Sequence, residues 1–369
     1  MILGIDISTY LEGVRFGAKY FKDGKPYDPT CGFIENGVEY SRIRLWNDPY
    51  SPDKKPYLGG TCDLDNFFDL ALMLQPKGYK TVLDFHYSDF WADPGKQTIP
   101  KAWQGKTLPE LCDAVYSYTK AVLLACRERS IDLSHIQVGN EITNGMLWPI
   151  GRLTENEDSK RGNYDALCEL IKAGVQACRE LYPEAELILH LERSHDSAVY
   201  DEFFTEMEAH NVDYDIIGAS YYPYWHGTFE QFFANMDLCK KFNKKRMVME
   251  LGYAFTLEGY SLNGGEKIRL VIDEDNSRFF NFKPEYPISP EGQAAFIRDF
   301  LQQAQEHGLD GVFYWEPLWV PQKGICWASN EGQAYIGESG KSTQNEWANQ
   351  CLFDYDGNAL PAFDGFRVF

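Results

Sequence analysis

Basic residues are scarce in this chain of 369 residues: 35 lysines and arginines stand against 55 aspartates and glutamates, a formal net charge of −20. Nucleic acid and anionic membrane surfaces both call for basic patches, so neither is expected as a partner. No apolar run approaches the roughly 20 residues that span a bilayer. The N-terminus, Met1-Ile-Leu-Gly-Ile-Asp-Ile7, lacks a basic region and a small-residue cleavage site, and reads as a strand that starts at once. The nine cysteines are odd in number, with no Cys-x-x-Cys and no framework spacing. That argues against a zinc ribbon, a thioredoxin-type site or a disulfide scaffold, and for a reducing compartment. A cytoplasmic location is therefore expected, or a secreted one if a leader has been removed. No Gly-x-Gly-x-x-Gly follows the first strand, which argues against a dinucleotide site.

Apolar residues, by contrast, are plentiful. Hydrophobic residues make up 44% of the chain and aromatics 15%, with nine Trp, 23 Tyr and 24 Phe. Most of these rings are expected to pack in the core. The surplus is expected to line a groove, where the flat C–H faces of sugars stack on aromatic rings. Eight short apolar runs recur, at Ile2–Ile7, Tyr40–Trp46, Thr81–His86, Ile136–Gly139, Leu187–Leu191, Ile216–Tyr221, Arg246–Glu250 and Gly311–Trp315. Amphipathic stretches lie between them: Asp65–Leu74, Leu108–Arg129, Tyr164–Leu181, Ala198–His210, Phe229–Phe242 and Pro290–His307. Pro109 and Pro290 sit near helix starts, where a missing N–H costs nothing, and Gly78 and Gly308 where helices should end. Strands alternating with helices imply a parallel sheet, and eight repeats imply a closed (β/α)₈ TIM barrel. No linker divides the chain, so residues 1–369 are expected to form a single domain. The long loops Asp84–Thr107, Asn140–Gly162, Gly252–Ser289 and the tail after Trp315 all follow strands. They fall on the C-terminal face, where barrel active sites are built.

The strand ends collect polar and aromatic side chains. They are Asp6, Ser8, Arg44, Trp46, Asp84, His86, Asn140, Glu141, His190, Glu192, Tyr221, Tyr222, Tyr224, Glu250, Trp315 and Glu316. A structural barrel needs none of them, and as a set on one rim they argue for a site. Two glutamates stand out: Glu141 in Gln137-Val-Gly-Asn-Glu141, and Glu250 in Arg246-Met-Val-Met-Glu250. Hydrolysis of a sugar–sugar bond takes a pair of carboxyl groups, one to protonate the leaving oxygen and one to attack or to activate water. Strands four and seven face each other across an eight-stranded barrel, so their ends can converge to the roughly 5 Å of a retaining enzyme. Glu141 is expected to be the acid, with a raised pKa, and Glu250 the nucleophile, kept ionised by donors such as Arg44 and a tyrosine hydroxyl. Asn140 is placed to hold a sugar 2-hydroxyl. For Glu12, Glu192 and Glu316, anchoring a loop is about as good a reading as a place in the site. His86 has no His-x-His or His-Glu-x-x-His companion, so it is expected to hydrogen-bond and not to hold a metal. No metal site and no required cofactor are expected. The acidic run Asp273-Glu-Asp-Asn276 suits a hard cation such as calcium but lacks a full ligand spacing, which favours a solvated loop.

Several segments together resemble glycoside hydrolase family 53, the endo-β-1,4-galactanases of the clan A (β/α)₈ hydrolases. They are Gly4-Ile-Asp-Ile-Ser8, Arg42-Ile-Arg-Leu-Trp-Asn-Asp-Pro49, Leu83-Asp-Phe-His-Tyr-Ser-Asp-Phe-Trp-Ala-Asp-Pro-Gly-Lys-Gln97, Gln137-Val-Gly-Asn-Glu-Ile142, Ser220-Tyr-Tyr-Pro-Tyr-Trp-His-Gly227 and Gly311-Val-Phe-Tyr-Trp-Glu-Pro317. The resemblance runs nearly end to end. It implies a retaining endo-hydrolase of the β-1,4-galactan side chains of pectin, or of galacto-oligosaccharides. It matches Glu141 to the acid/base and Glu250 to the nucleophile. Arg44, His86 and Asn140 match residues that touch the substrate, and Trp91 and Trp315 match stacking platforms. Tyr221 and Tyr222 complete the expected substrate-binding set. Departures fall at Leu251-Gly252 and at Glu192-Arg193, where a subsite is expected to differ. The residues alone leave open another β-linked substrate, such as mannan, and a non-catalytic carbohydrate-binding barrel.

Overall fold

The computed structural model describes residues 1–155, 161–262, 264–274 and 285–368. Eight strands close into a barrel: β1 (Ile2–Asp6), β2 (Tyr40–Leu45), β3 (Lys80–Phe85), β4 (Leu133–Val138), β5 (Glu186–Leu191), β6 (Ile216–Tyr221), β7 (Lys245–Leu251) and β8 (Gly311–Trp315). Neighbours pair in parallel throughout, and β1 closes the ring by pairing with both β2 and β8. Crossover helices separate them: α1 (Pro29–Glu35), α2 (Leu64–Leu74), α3 (Leu108–Glu128), α4 (Tyr164–Leu181), α5 (Ser197–Ala209), α6 (Phe229–Leu238) and α7 (Pro290–Glu306). The expected (β/α)₈ barrel is thus the observed one. After β8 the chain makes a short helix, Asn330–Tyr335, and ends in a 3₁₀ segment, Pro361–Val368, packed against α7.

Local chemistry sets the helix ends. Thr228 Oγ1 accepts the Gln231 amide while Gln231 Oε1 accepts the Thr228 amide, a capping box that starts α6. Ser289 Oγ accepts the Gly292 amide at 3.0 Å, and Pro290 follows as the first residue of α7. The stretch expected as one helix over Phe229–Phe242 is α6 followed by a 3₁₀ turn, Cys239–Phe242, closed by Asn243 at φ 53°. Asparagine tolerates that left-handed conformation. The fourth strand begins at Leu133, three residues before the expected Ile136, because Leu133 already pairs with Thr81.

The barrel interior is apolar below and polar above. Val82, Ile188, Ile216, Met247, Met249 and Phe313 form one buried layer. Gly4 makes room for the Phe313 ring, which a Cβ there would meet at 2.2 Å. Side chains alternate along a strand, so the next inward positions carry Arg42 and Arg44 on β2, Asp84 on β3, Gln137 on β4, His190 on β5 and Ser220 on β6. On β7 the alternation that brings Met247 and Met249 inward would continue to Leu251. Instead the pairing register shifts between Val248 and Leu251 on one side and between Ala219 and Ser220 on the other. Such an irregularity re-aims a side chain, and it turns Glu250 into the barrel mouth while Leu251 packs in the main core.

Candidate active site

A cavity of about 460 Å³ opens at the C-terminal ends of the strands. Glu141 and Glu250 both line it. Glu141 lies just beyond β4 at φ 48°, an uncommon conformation for a side-chain-bearing residue, and one that clusters at functional sites. Glu141, His190 and Glu250 each offer an atom within 4.8 Å of the others. These three are not read as a cation site, because both nitrogens of His190 are already engaged, by Asn140 and by Ser220.

The two carboxyls sit in different surroundings. Arg42 Nη1 donates to Glu250 Oε1 at 3.1 Å, and the Tyr222 hydroxyl donates to Oε2 at 2.9 Å. Among the described residues, the Glu141 carboxyl has only the Ser220 hydroxyl, 2.6 Å from Oε1. Burial raises both groups. For Glu141 the negative charges of Glu250 and Glu192 add to burial and hold it well above the ordinary carboxyl range. For Glu250 burial is opposed by Arg42 and by the Tyr222 hydrogen bond. When one proton is shared by the pair, Glu141 therefore keeps it and Glu250 is the anion. This is the division of labour that an acid and a nucleophile require.

Arg42, and not the expected Arg44, is the cation on Glu250. Its guanidinium, 1% exposed, also reaches Asp6 (3.0 Å), Asp84 (2.8 Å), Asn140 Oδ1 (2.7 Å) and Gln137 Oε1 (3.2 Å). Arg44 lies one alternation higher. It pairs with Glu316 at 2.6 Å and Asp6 at 3.3 Å and stacks on Trp91, 4.2 Å from the ring centroid. It still lines the cavity, beside His86, Trp91, Asn140, Tyr222 and Trp315. Tyr221 does not line it. Its ring packs against Phe232 and Phe300 and its hydroxyl donates to the Gly227 carbonyl. Adjacent residues of a strand point to opposite faces, so Tyr221 and Tyr222 never had the same address.

His86 hydrogen-bonds as expected. Its Nδ1 accepts from Trp46 and from the Ala92 amide, which leaves Nε2 to donate to Asp84 at 3.1 Å. Asn140 has its amide tied to the Ala92 carbonyl. Glu12 accepts from the Gly60 amide and the Thr61 hydroxyl and anchors a loop. Glu316 anchors Thr9 and Arg44. Glu192 lines the cavity beside Arg193, and its carboxylate takes the Thr143 hydroxyl. Asp273 pairs with Arg269 at 3.1 Å, while Asp275 and Asn276 of the acidic run lie outside the described residues.

One wall is aromatic. Trp315 packs 6.2 Å from Trp91 and 5.2 Å from Trp347, and Trp347 lies 6.0 Å from Trp225. Trp225, Trp347, Arg42, Gln137 and Ser220 were not singled out from sequence. Arg42, Gln137 and Ser220 each lie an even number of residues from a strand-end residue that was, which is the signal that finds them. Trp347 lies in the tail, and no local pattern points to it.

Comparison with known proteins gives a consistent picture. A family model described as glycosyl hydrolase family 53 matches residues 2–366. An endo-beta-1,4-galactanase of Bacillus subtilis (strain 168) is 30% identical, the alignment covering 99% of this chain and 85% of the relative. The solved Ignisphaera aggregans GH53 catalytic domain is 36% identical with a TM-score of 0.87, covering 100% of this chain and 95% of that one. One of two solved fungal beta-1,4-galactanases is 25% identical with a TM-score of 0.77, covering 100% and 99%.

Proposed function

Since the chain belongs to glycosyl hydrolase family 53, we propose that it cleaves β-1,4-galactan, or galacto-oligosaccharides, internally and with retention. Glu141 serves as acid and base, and Glu250 as nucleophile. The observation that carries these roles is the convergence of two buried carboxyls to within 4.8 Å, one held by Arg42 and Tyr222 and the other not. A retaining site needs about 5 Å between its carboxyl groups.

A Glu250 oxygen attacks the anomeric carbon as the glycosidic bond breaks. The bonding pair goes to the leaving oxygen, which takes the Glu141 proton. Glu141, now a carboxylate, takes a proton from water, whose oxygen displaces Glu250 from the glycosyl ester. Trp315 and Trp91 offer flat faces to the sugar rings, and Arg44, His86 and Asn140 complete the polar lining. Residues 1–369 act as one catalytic unit on a neutral chain, which suits a protein with a net charge of −20. All nine cysteines are free, which supports a reducing compartment. No helix among the described residues is long and apolar enough to cross a membrane.

The test is incubation with linear β-1,4-galactan, β-1,4-mannan and cellulose, with products resolved by chromatography. Galacto-oligosaccharides of mixed length from galactan alone are expected. Release from mannan instead would overturn the substrate. Glu250→Gln is expected to bind oligosaccharide and to lose turnover by at least about a thousandfold. Glu141→Ala with an activated aryl β-galactoside and azide is expected to give the β-galactosyl azide. The α-anomer would reverse the assignment of retention.

A further inference from the structure

A buried serine stands between a buried histidine and the acid carboxyl. His190 Nδ1 lies 2.9 Å from Asn140 Oδ1, His190 Nε2 lies 2.9 Å from Ser220 Oγ, and Ser220 Oγ lies 2.6 Å from Glu141 Oε1. Counting hydrogens fixes the direction of each bond. Asn140 Nδ2 donates to the Ala92 carbonyl at 2.9 Å, so Oδ1 is the acceptor, and it already receives Arg42 and Gln137. His190 Nδ1 must therefore carry a hydrogen. A second hydrogen on Nε2 would create a buried cation, which burial first, and then Arg42, His86 and His226, oppose. Nε2 is a bare acceptor, and the Ser220 hydroxyl is the donor beside it. That hydroxyl has one hydrogen. While it points at His190, the serine oxygen turns a lone pair to Glu141. A 2.6 Å contact is then attractive only when Glu141 Oε1 bears a proton.

From this chain we propose that His190 and Ser220 are positioning residues that hold the acid proton on Glu141 between turnovers. The proposal rests on Glu141 being the acid. A half-turn of the carboxyl about its Cγ–Cδ bond presents the proton to the leaving oxygen, which takes it as the glycosidic bond breaks. The Ser220 hydrogen then swings from Nε2 to the new carboxylate, and His190 is left without a donor until water returns a proton to Glu141. No proton passes to His190 and nothing is oxidised. The carboxylate state thus strands a buried acceptor, a penalty that the protonated state avoids. This acts alongside burial and the negative charges of Glu250, Glu192 and Asp93, which face Glu141 from β7, the residue after β5 and the loop after β3, and against the Ser220 hydroxyl itself, which favours the carboxylate whenever it donates to Glu141.

The test is the pH dependence of kcat/KM on a galacto-oligosaccharide, which reports the first chemical step. The limb due to the acid is the alkaline one that vanishes for an aryl β-galactoside with an activated phenol. If no such limb exists, the acid assignment itself falls. Given the limb, His190→Leu frees the serine hydrogen for the carboxylate and is expected to move the limb down by roughly one to two pH units. Ser220→Ala removes that hydrogen and is expected not to lower the limb. Ser220→Thr keeps the wild-type profile, and His190→Leu in the Ser220→Ala background has no further effect. Leucine fills the imidazole space, and Asn140 Oδ1 keeps Arg42 and Gln137. A limb unmoved by His190→Leu, or moved equally in the Ser220→Ala background, would overturn the lock. A readout independent of these variants is the ¹⁵N spectrum of His190 in the wild-type protein. The lock requires a neutral ring with its hydrogen on Nδ1, and an imidazolium or the other tautomer would refute it.

Discussion

At the scale of the residue, two arginines two positions apart on one strand do different work. Arg42 favours the anion of Glu250, whereas Arg44 holds Glu316 and backs Trp91. Lysine at position 42 would keep the charge but lose the planar fork that serves five acceptors at once. With weaker support the Glu250 carboxyl rises further, because Arg42 lowers it more than the Tyr222 hydroxyl does. The acid limb of kcat/KM, which reports ionisation of the nucleophile, is therefore expected to move to higher pH in Arg42→Lys. A shift of one unit means about a tenfold loss on that limb. Arg44→Lys is expected to leave the acid limb in place and to raise KM through the loosened Trp91. A limb that moved with Arg44→Lys and not with Arg42→Lys would return the role to Arg44.

At the scale of the element, the helix Tyr10–Arg15 supplies a contrast. It carries Glu12, a buried carboxyl that sequence alone could not assign to site or scaffold. Glu12 accepts from Gly60 and Thr61 and does not line the cavity. Glu12→Ala strands both donors and is expected to destabilise the fold by about 1–3 kcal/mol. Urea unfolding would show this as a lower midpoint, with kcat/KM unchanged. A large loss of kcat/KM at full stability would put Glu12 in the chemistry. The strands themselves were legible because apolar runs of strand length alternate with helical stretches, and the two glutamates because each closes such a run. The handedness of a strand-end residue was less legible. Tyr221 and Tyr222 are equally aromatic, and only counting from Ser220 separates them. On β7 even counting fails, since the register shift that turns Glu250 inward depends on pairing with β6 and β8. Trp347 was beyond reach because the tail meets the barrel mouth only in the folded chain.

At the scale of the whole molecule, the barrel mouth is a store of buried carboxyls. Burial lifts Glu12 to about 7 and Glu316 to about 8, and raises Glu141 and Glu250 as well. A carboxyl raised in the folded state binds more protons there than in the unfolded chain, whose glutamates titrate near 4.3. Below that value both states are protonated and the group is neutral to stability. As pH rises from about 4.5 toward 8, the unfolded chain ionises freely while the folded one resists, so stability falls through this window. Four buried histidines held neutral, His86, His135, His190 and His226, work the other way up to about pH 6.5, where the unfolded chain's imidazoles lose their protons, so the Tm of the wild-type protein is expected to decline above that pH. Glu141→Gln keeps the shape and removes the charge, so it is expected to match the wild type near pH 4 and to melt increasingly higher as pH rises to 8. The difference between the two melting curves isolates Glu141 from every other titrating group. A difference that stayed constant with pH would mean that Glu141 ionises as easily folded as unfolded, and the acid would have no stored proton to give.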